Sequence, residues 1–426
     1  MTAALVIGID LGTSGARAVA MSSDFEIAAR AAASFADPAT GLRRPEVWWE
    51  AVTTVLENVV RQIPASGVRA IAVDATSGTL LPVDRAGTPL APPLMYSDRV
   101  RDGAILQRIL PHIPAESGAH GESSGLAKAL VFQEIEGVHA VLHQADWIAG
   151  RLTGRFSATD ENNALKTGYD PVERRWPNWL SRTGLNVELL PEVLEPGAWL
   201  GGLSDAAAAR FGLEPGTRVL AGTTDGCASF LATGASEAGD GVSALGSTLT
   251  IKLLSDRPVF SPESGVYSHR INDLWLAGGA SNSGGRVLSH YFTADEIDGL
   301  SGRIDPASET GLDYYPLLAA GERFPAMDPD LQPRLSPRPR DDAEFLKGML
   351  EGIATIEQHG YARLAEAGAP RLRTLRTVGG GAGNAAWTAI RQKKLTVPFL
   401  PAHSQEAAAG TARLALAGLR KTGMPA

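Results

Sequence analysis

The chain has 426 residues, 44% of them apolar and 20% charged, and a net charge of −8 at neutral pH. Its length exceeds one ordinary hydrophobic core and predicts two domains of α/β character, while the acidic balance argues against general affinity for nucleic acid or anionic membranes. No apolar run approaches the roughly 20 residues of a membrane span, and Cys227, the one cysteine, excludes an intramolecular disulfide framework and any cysteine-rich zinc site.

The first element is a predicted buried strand built on Val6, Ile7 and Ile9, and the second runs from Ala16 to Met21. The small-residue turn Gly12 to Gly15 joins them as a hairpin. A chain that opens on a core strand, in place of a basic and apolar leader, is expected in the cytoplasm. The turn exposes backbone N–H groups able to bind phosphate oxygens, because glycine brings no Cβ against an approaching anion. Asp10, at the strand end, suits either Mg²⁺ held through water or an Asx hydrogen bond that caps the turn.

Trp48 to Gln62 reads as an amphipathic helix, with Trp48, Val52, Val55, Leu56 and Val59 on one face. A strand from Val68 to Val73 leads into Asp74-Ala75-Thr76-Ser77-Gly78-Thr79, and the turn Pro89 to Pro93 leads into Tyr96-Ser97-Asp98-Arg99. Both loops offer the hydroxyl, carboxylate and amide groups that a polyol needs, with Tyr96 as an aromatic face. The other role open to Asp98 is a surface ion pair with Arg99 or Arg101.

A strand from Arg218 to Ala221 runs into Gly222-Thr223-Thr224-Asp225-Gly226, where Asp225 is the only ionisable side chain of the turn. A carboxylate at such a helix start suits proton abstraction from a substrate hydroxyl, or simply an N-cap. Gly241 to Leu245, the turn Gly246-Ser247-Thr248 and the strand Leu249 to Leu254 then repeat the pattern of the opening hairpin. Further on come a strand from Leu274 to Leu276, a Pro-rich surface loop from Phe324 to Pro339, and a helix from Asp341 to Ala367.

After a strand from Leu375 to Val378, the run Gly379-Gly380-Gly381-Ala382-Gly383 opens a helix from Asn384 to Gln392. Each glycine in an ordered segment costs roughly 0.5–1 kcal/mol relative to alanine. Four in five positions point to close backbone approach of a ligand at a helix N-terminus. The histidines show no close metal-ligand spacing, Ser14 and Ser247 have no neighbouring histidine base, and no glycine loop matches the Gly-Lys-Ser/Thr phosphate motif.

Taken in order, Asp10-Leu11-Gly12-Thr13-Ser14-Gly15, Gly222-Thr223-Thr224-Asp225-Gly226, Leu245-Gly246-Ser247-Thr248, Gly379 to Asn384 and Glu406 to Ala412 resemble the FGGY family of carbohydrate kinases over the whole chain. The resemblance implies an α/β, two-domain actin-like ATPase fold of the ribonuclease-H-like type, with the active site in an interdomain cleft. It divides the chain into a sugar-binding domain, residues 1–235 plus 405–426, and an ATP-binding domain, residues 236–404.

It also implies roles. ATP and Mg²⁺ would be the cofactors, with Asp10 placing the metal. Thr13, Ser14 and Gly15 would hold the β- and γ-phosphates together with Gly246, Ser247 and Thr248, while Gly380, Gly381 and Asn384 would receive the adenosine. Asp225 would be the general base, and Asp10, Thr76, Ser77, Tyr96 and Asp98 would join it around a small-molecule sugar. The protein would act as a monomer or homodimer. Asp74 to Gly78 replaces the Ser-Gly-Gln-Met-His type of sugar loop of xylulose kinases and is similar to the loop of short D-ribulose kinases, which puts D-ribulose first. Xylulose, ribitol or glycerol as substrate, or a non-catalytic actin-like nucleotide-binding protein, are the alternatives.

Overall fold

The computed structural model describes residues 4–35 and 42–421. Contacts divide them into two units. One comprises residues up to Ala232 with His269–Asn272 and Glu406 onward, and the other comprises Thr233–Ser268 with Asp273–Gln405.

The first unit is built on a six-stranded sheet. Strands β1 (Leu5–Leu11), β2 (Gly15–Ser22) and β3 (Ile27–Ser34) form an antiparallel meander. Helix α1 (Pro45–Val60) follows, and β4 (Val68–Ala75) then pairs in parallel with β1. Helices α2 (Gly125–Phe132) and α3 (Gln144–Thr153) precede β5 (Trp199–Gly202) and β6 (Arg218–Thr224), and the strand order is β3-β2-β1-β4-β6-β5. Helix α4 (Asp225–Ala232) begins directly at the end of β6.

Alternation along β1 explains why this sheet is covered on both faces. Ile7, Ile9 and Leu11 pack with α1, whose Trp48, Val52, Val55, Leu56 and Val59 form the predicted apolar stripe. Val6 points the other way, into a cluster with Ala408, Ala412, Leu416 and Leu419 of the helix Ala407–Lys421. Each such buried branched side chain contributes about 1.5–3 kcal/mol relative to exposure. Gly8 permits this packing, since a Cβ there would stand 2.1 Å from the carbonyl oxygen of Ala408.

The second unit repeats the theme. Strands β7 (Asp240–Leu245) and β8 (Leu249–Ser255) form a hairpin extended by β9 (Leu274–Ala280). Helices α5 (Gly285–Tyr291), α6 (Ala294–Ser301) and α7 (Asp342–Glu366) come before β10 (Thr374–Val378), which pairs in parallel with β7 just as β4 does with β1. Helix α8 (Ala385–Leu395) and the short β11 (Phe399–Leu400) follow, and β9-β8-β7-β10-β11 are five consecutive strands of a six-stranded sheet. Phe345, Leu346, Met349, Leu350 and Ile353 of α7 meet Trp387 and Ile390 of α8 in its core.

The Pro-rich stretch 324–339 contains neither helix nor regular strand, as its prolines dictate. It is not wholly a surface loop, however. Phe324 is a core residue, its ring lying where a Cβ on Gly279 would come within 2.4 Å. Among the described residues no helix is long and apolar enough to cross a membrane.

Candidate active site

Three carboxylates lie at the C-terminal ends of three adjacent parallel strands in the first unit. Asp10 on β1 is in register with Asp74 on β4, Asp74 is in register with Thr223 on β6, and Asp225 follows β6 by one residue. The carboxyl ends of parallel strands are where open α/β sheets bind ligands, because successive chain turns leave a crevice there.

Burial and mutual repulsion govern these groups. Burial pushes the Asp10 carboxyl up, against the lowering effect of Arg17, whose Nη1 donates to Asp10 Oδ2 at 3.2 Å. Asp74 is held well above the ordinary carboxylate range, by burial first and then by the charge of Asp10, with Asp225 adding to it. Thr411 Oγ1 donates to Asp74 Oδ2, whereas Asp74 Oδ1 has no partner among the described residues. Asp225 is half-buried, and its Oδ1 accepts from the N–H of Gly226 at 2.7 Å.

Two polar loops follow from this sheet. Thr76 donates through its N–H and Oγ1 to Gln144 Oε1, at 3.3 and 2.7 Å, and its hydroxyl meets that of Thr79 at 2.6 Å. The N–H of Tyr96 donates to Thr79 Oγ1 at 3.0 Å, which ties the second loop to the first. Lys128 of α2 reinforces the tie, donating 2.7 Å bonds to the carbonyls of both Gly78 and Met95. The Ser77 hydroxyl is buried without a partner among the described residues. Tyr96 is exposed.

Asp98 takes an ion pair different from the one its neighbours suggest. Arg43 binds it through both terminal nitrogens at 2.6 and 2.7 Å, and this pair holds its carboxyl below the usual range. Arg99 instead faces Glu122 at 3.9 Å.

Thr13, Ser14 and Gly15 occupy the β1–β2 turn, where the N–H of Gly12 donates to the Gly15 carbonyl at 3.0 Å. Gly246, Ser247 and Thr248 form the corresponding turn between β7 and β8. That second turn borders a cavity of about 670 Å³ in the second unit, whose lining also includes Gly380, Gly381, Asn384 and Trp387.

The glycine loop has a physical reason at two positions. Gly379 has φ of 89°, and a Cβ there would meet the Leu245 carbonyl oxygen at 2.8 Å. A Cβ on Gly381 would lie 2.5 Å from the Trp387 ring. Gly380 and Gly383, by contrast, face open space, leaving room for a ligand. Asn384 caps α8 by accepting from the N–H of Trp387 at 2.9 Å, and its amide nitrogen donates to Ser301 Oγ at 2.7 Å.

This folding pattern is matched by family models over nearly all of the chain. The N-terminal domain of the FGGY family of carbohydrate kinases matches residues 5–109 and 129–232, and the C-terminal domain of that family matches residues 241–419. The chain belongs to the FGGY family of carbohydrate kinases. This FGGY kinase is 26% identical to a xylulose kinase of Streptomyces coelicolor over 90% of its own length and 81% of the relative's. It is 22% identical to a gluconokinase of Bacillus subtilis, over 77% of the chain and 70% of the relative.

Among solved structures, a xyloylose kinase from Brucella ovis superposes with a TM-score of 0.86 at 24% identity, covering 99% of this chain and 91% of that one. A Plasmodium falciparum glycerol kinase with ADP gives 0.83 at 14% identity, covering 100% and 91%. At these identities the likeness establishes the two-domain α/β, actin-like fold.

Several residues of this FGGY kinase escape reading from sequence. Asn162 donates to Thr223 Oγ1 at 2.9 Å, steadying the strand two residues before Asp225. In the second unit Arg391 and Glu357 form a fully buried bidentate pair at 2.6 and 2.7 Å. Arg391 also donates to Thr377 Oγ1 at 2.9 Å and Glu357 accepts from Ser243 Oγ at 2.5 Å, so the pair clasps β7 and β10 upstream of the Gly246 to Thr248 turn and the glycine loop. The one available signal was a hydroxyl residue in the middle of each apolar strand, Ser243 and Thr377, which are in register.

Proposed function

We propose that this carbohydrate kinase transfers a phosphoryl group from ATP to a ketopentose hydroxyl, first of all from ATP to D-ribulose to give D-ribulose 5-phosphate, with Asp225 as general base. The first unit would hold the sugar, through Thr76, Ser77, Tyr96, Asp98 and Asp10, and the second the nucleotide. The observation that carries the reading is the position of Asp225, a half-buried carboxylate at the end of β6 beside two other strand-end carboxylates. The polar loop at Thr76 to Thr79, tied to the loop at Tyr96, supports a small polyhydroxy substrate.

The chemistry asks for positioning and charge control rather than covalent catalysis. Asp225 accepts the proton of the C5 hydroxyl while that oxygen attacks the γ-phosphorus, and ADP departs. A raised Asp74 stays protonated more readily than Asp225's other neighbours, which limits the negative charge gathered at the strand ends. The turn at Gly246 to Thr248 would offer backbone N–H groups to phosphate oxygens.

The donor set suits a hard cation. Asp10 and Asp225 offer only oxygen, and the guanidinium of Arg17 stands beside Asp10. Mg²⁺ keeps water and phosphate oxygens as its main ligands and needs only one or two protein carboxylates. Asp10 would hold it through water, and the ion would supply charge neutralisation of the phosphates.

Coupled ADP release over a panel of D-ribulose, D-xylulose, ribitol and glycerol tests the proposal. The expected result is fastest turnover with D-ribulose and a kcat lowered about 10²–10⁴-fold in Asp225→Ala, the range a general base contributes. Sugar-independent ADP release, or an Asp225→Ala enzyme as fast as the parent, refutes it.

A further inference from the structure

The 670 Å³ cavity of the second unit carries two charged side chains that have no part in the reading above. Among its lining residues Arg286 is the one cation and Asp298 the one anion. Both are exposed, and neither side chain has a hydrogen-bond or ion-pair partner among the described residues. They share a cavity yet do not pair with each other.

The elements that carry them set them at different features of the cavity. Arg286 is the second residue of α5, whose first turn is bonded onto the β7–β8 turn: the N–H of Gly285 donates to the Gly246 carbonyl at 2.9 Å and that of Arg286 to the Ser247 carbonyl at 3.0 Å. Asp298 lies on α6, three residues before Ser301, and so shares a helix face with the hydroxyl that receives the Asn384 amide. The cation therefore belongs with the Gly246–Ser247 turn and the anion with the glycine-loop side. Leu288, Ala294, Ile297 and Trp387 supply apolar wall.

We propose that Arg286 and Asp298 form a polarised clamp that orients the nucleotide, Arg286 donating to phosphate oxygens and Asp298 accepting from hydroxyl or amino groups of the adenosine. The assignment rests on the ATP site proposed above. A carboxylate only accepts, so Asp298 can serve hydroxyl and amino groups and not phosphate, whereas the charge and forked donors of the Arg286 guanidinium match phosphate oxygens best. A reversed nucleotide would bring phosphate against Asp298, where like charges repel.

Competitive inhibition by ADP, adenosine and inorganic pyrophosphate, measured on the parent, Arg286→Ala and Asp298→Asn, tests the clamp. Both positions are exposed, and thermal unfolding verifies that each variant is folded. Arg286→Ala is expected to weaken ADP and pyrophosphate about tenfold, the loss of one charge-assisted hydrogen bond, while adenosine changes less than about twofold. Asp298→Asn is expected to weaken adenosine and ADP and to spare pyrophosphate, with the sugar KM unchanged in both variants. If Arg286→Ala weakens adenosine as much as ADP, or if both variants bind ADP like a parent that itself binds it, the clamp alone is overturned. If the parent binds none of the three, the ATP site falls and the clamp with it.

Discussion

Lys128 shows how one buried charge can organise the proposed substrate floor. Its ammonium ties together the two loops that carry Thr76, Ser77, Tyr96 and Asp98, by donating to the carbonyls of Gly78 and Met95. Burial pulls its pKa from the ordinary 10.5 down to about 8, with Asp98 acting in the opposite sense. Between those two values the unfolded chain binds more protons than the folded one. Stability from this residue therefore rises as pH climbs through that window, and is lost as pH falls back through about 8. Urea unfolding of the parent and Lys128→Met between pH 7 and pH 10 should show the parent gaining on the variant as pH rises. A constant difference would mean that the ammonium titrates normally. At any pH the variant should have a raised sugar KM and an unaltered ATP KM, because the two loops lose their common donor.

At the scale of elements, the arrangement of hydroxyls and charges inside the second unit decides how firmly its two proposed ligand loops are held. Arg391 and Glu357 are both fully buried, and removing one partner strands the other. Arg391→Met is expected to cost about 3–5 kcal/mol in urea unfolding, and the double variant with Glu357→Gln to regain about half of that, since a neutral amide no longer needs a counter-charge. A double variant no more stable than the single one would show that packing, not charge, dominates.

The same pair shows what sequence can and cannot convey. Trp48, Val52, Val55, Leu56 and Val59 announce α1 by their spacing, and the two hairpins announce themselves by short glycine turns between apolar runs, because these signals are local. Glu357 and Arg391 sit on helices 34 residues apart in the chain, and each alone reads as an exposed polar position. Asp74 is legible as the carboxylate of a candidate loop, but not as the neighbour of Asp10. Its importance comes from register with Asp10 across a parallel pair, which no local pattern encodes. Asp98 was legible as a candidate loop residue, but its partner Arg43, 55 residues away, was not.

For the molecule as a whole, two separate cores imply two separately addressable ligand effects. The acidic strand ends and polar loops belong to the first unit, and the nucleotide-sized cavity with its glycine loop belongs to the second. Ligand bound only to the folded state stabilises it by mass action, about 2.7 kcal/mol at a hundredfold excess over Kd. That stabilisation slows amide exchange most strongly in the elements the ligand orders. Hydrogen exchange with ADP should thus protect Leu245 to Leu249 and Val378 to Trp387 ahead of any segment before Ala232. D-Ribulose alone should protect Asp74 to Leu80 and Met95 to Asp98 first, and leave the glycine loop near its unliganded rate. Protection of the glycine loop by the sugar to the same degree as by ADP would contradict the division of labour, because Gly379 to Gly383 bring only backbone polar groups, whereas Thr76, Ser77 and Thr79 bring three hydroxyls.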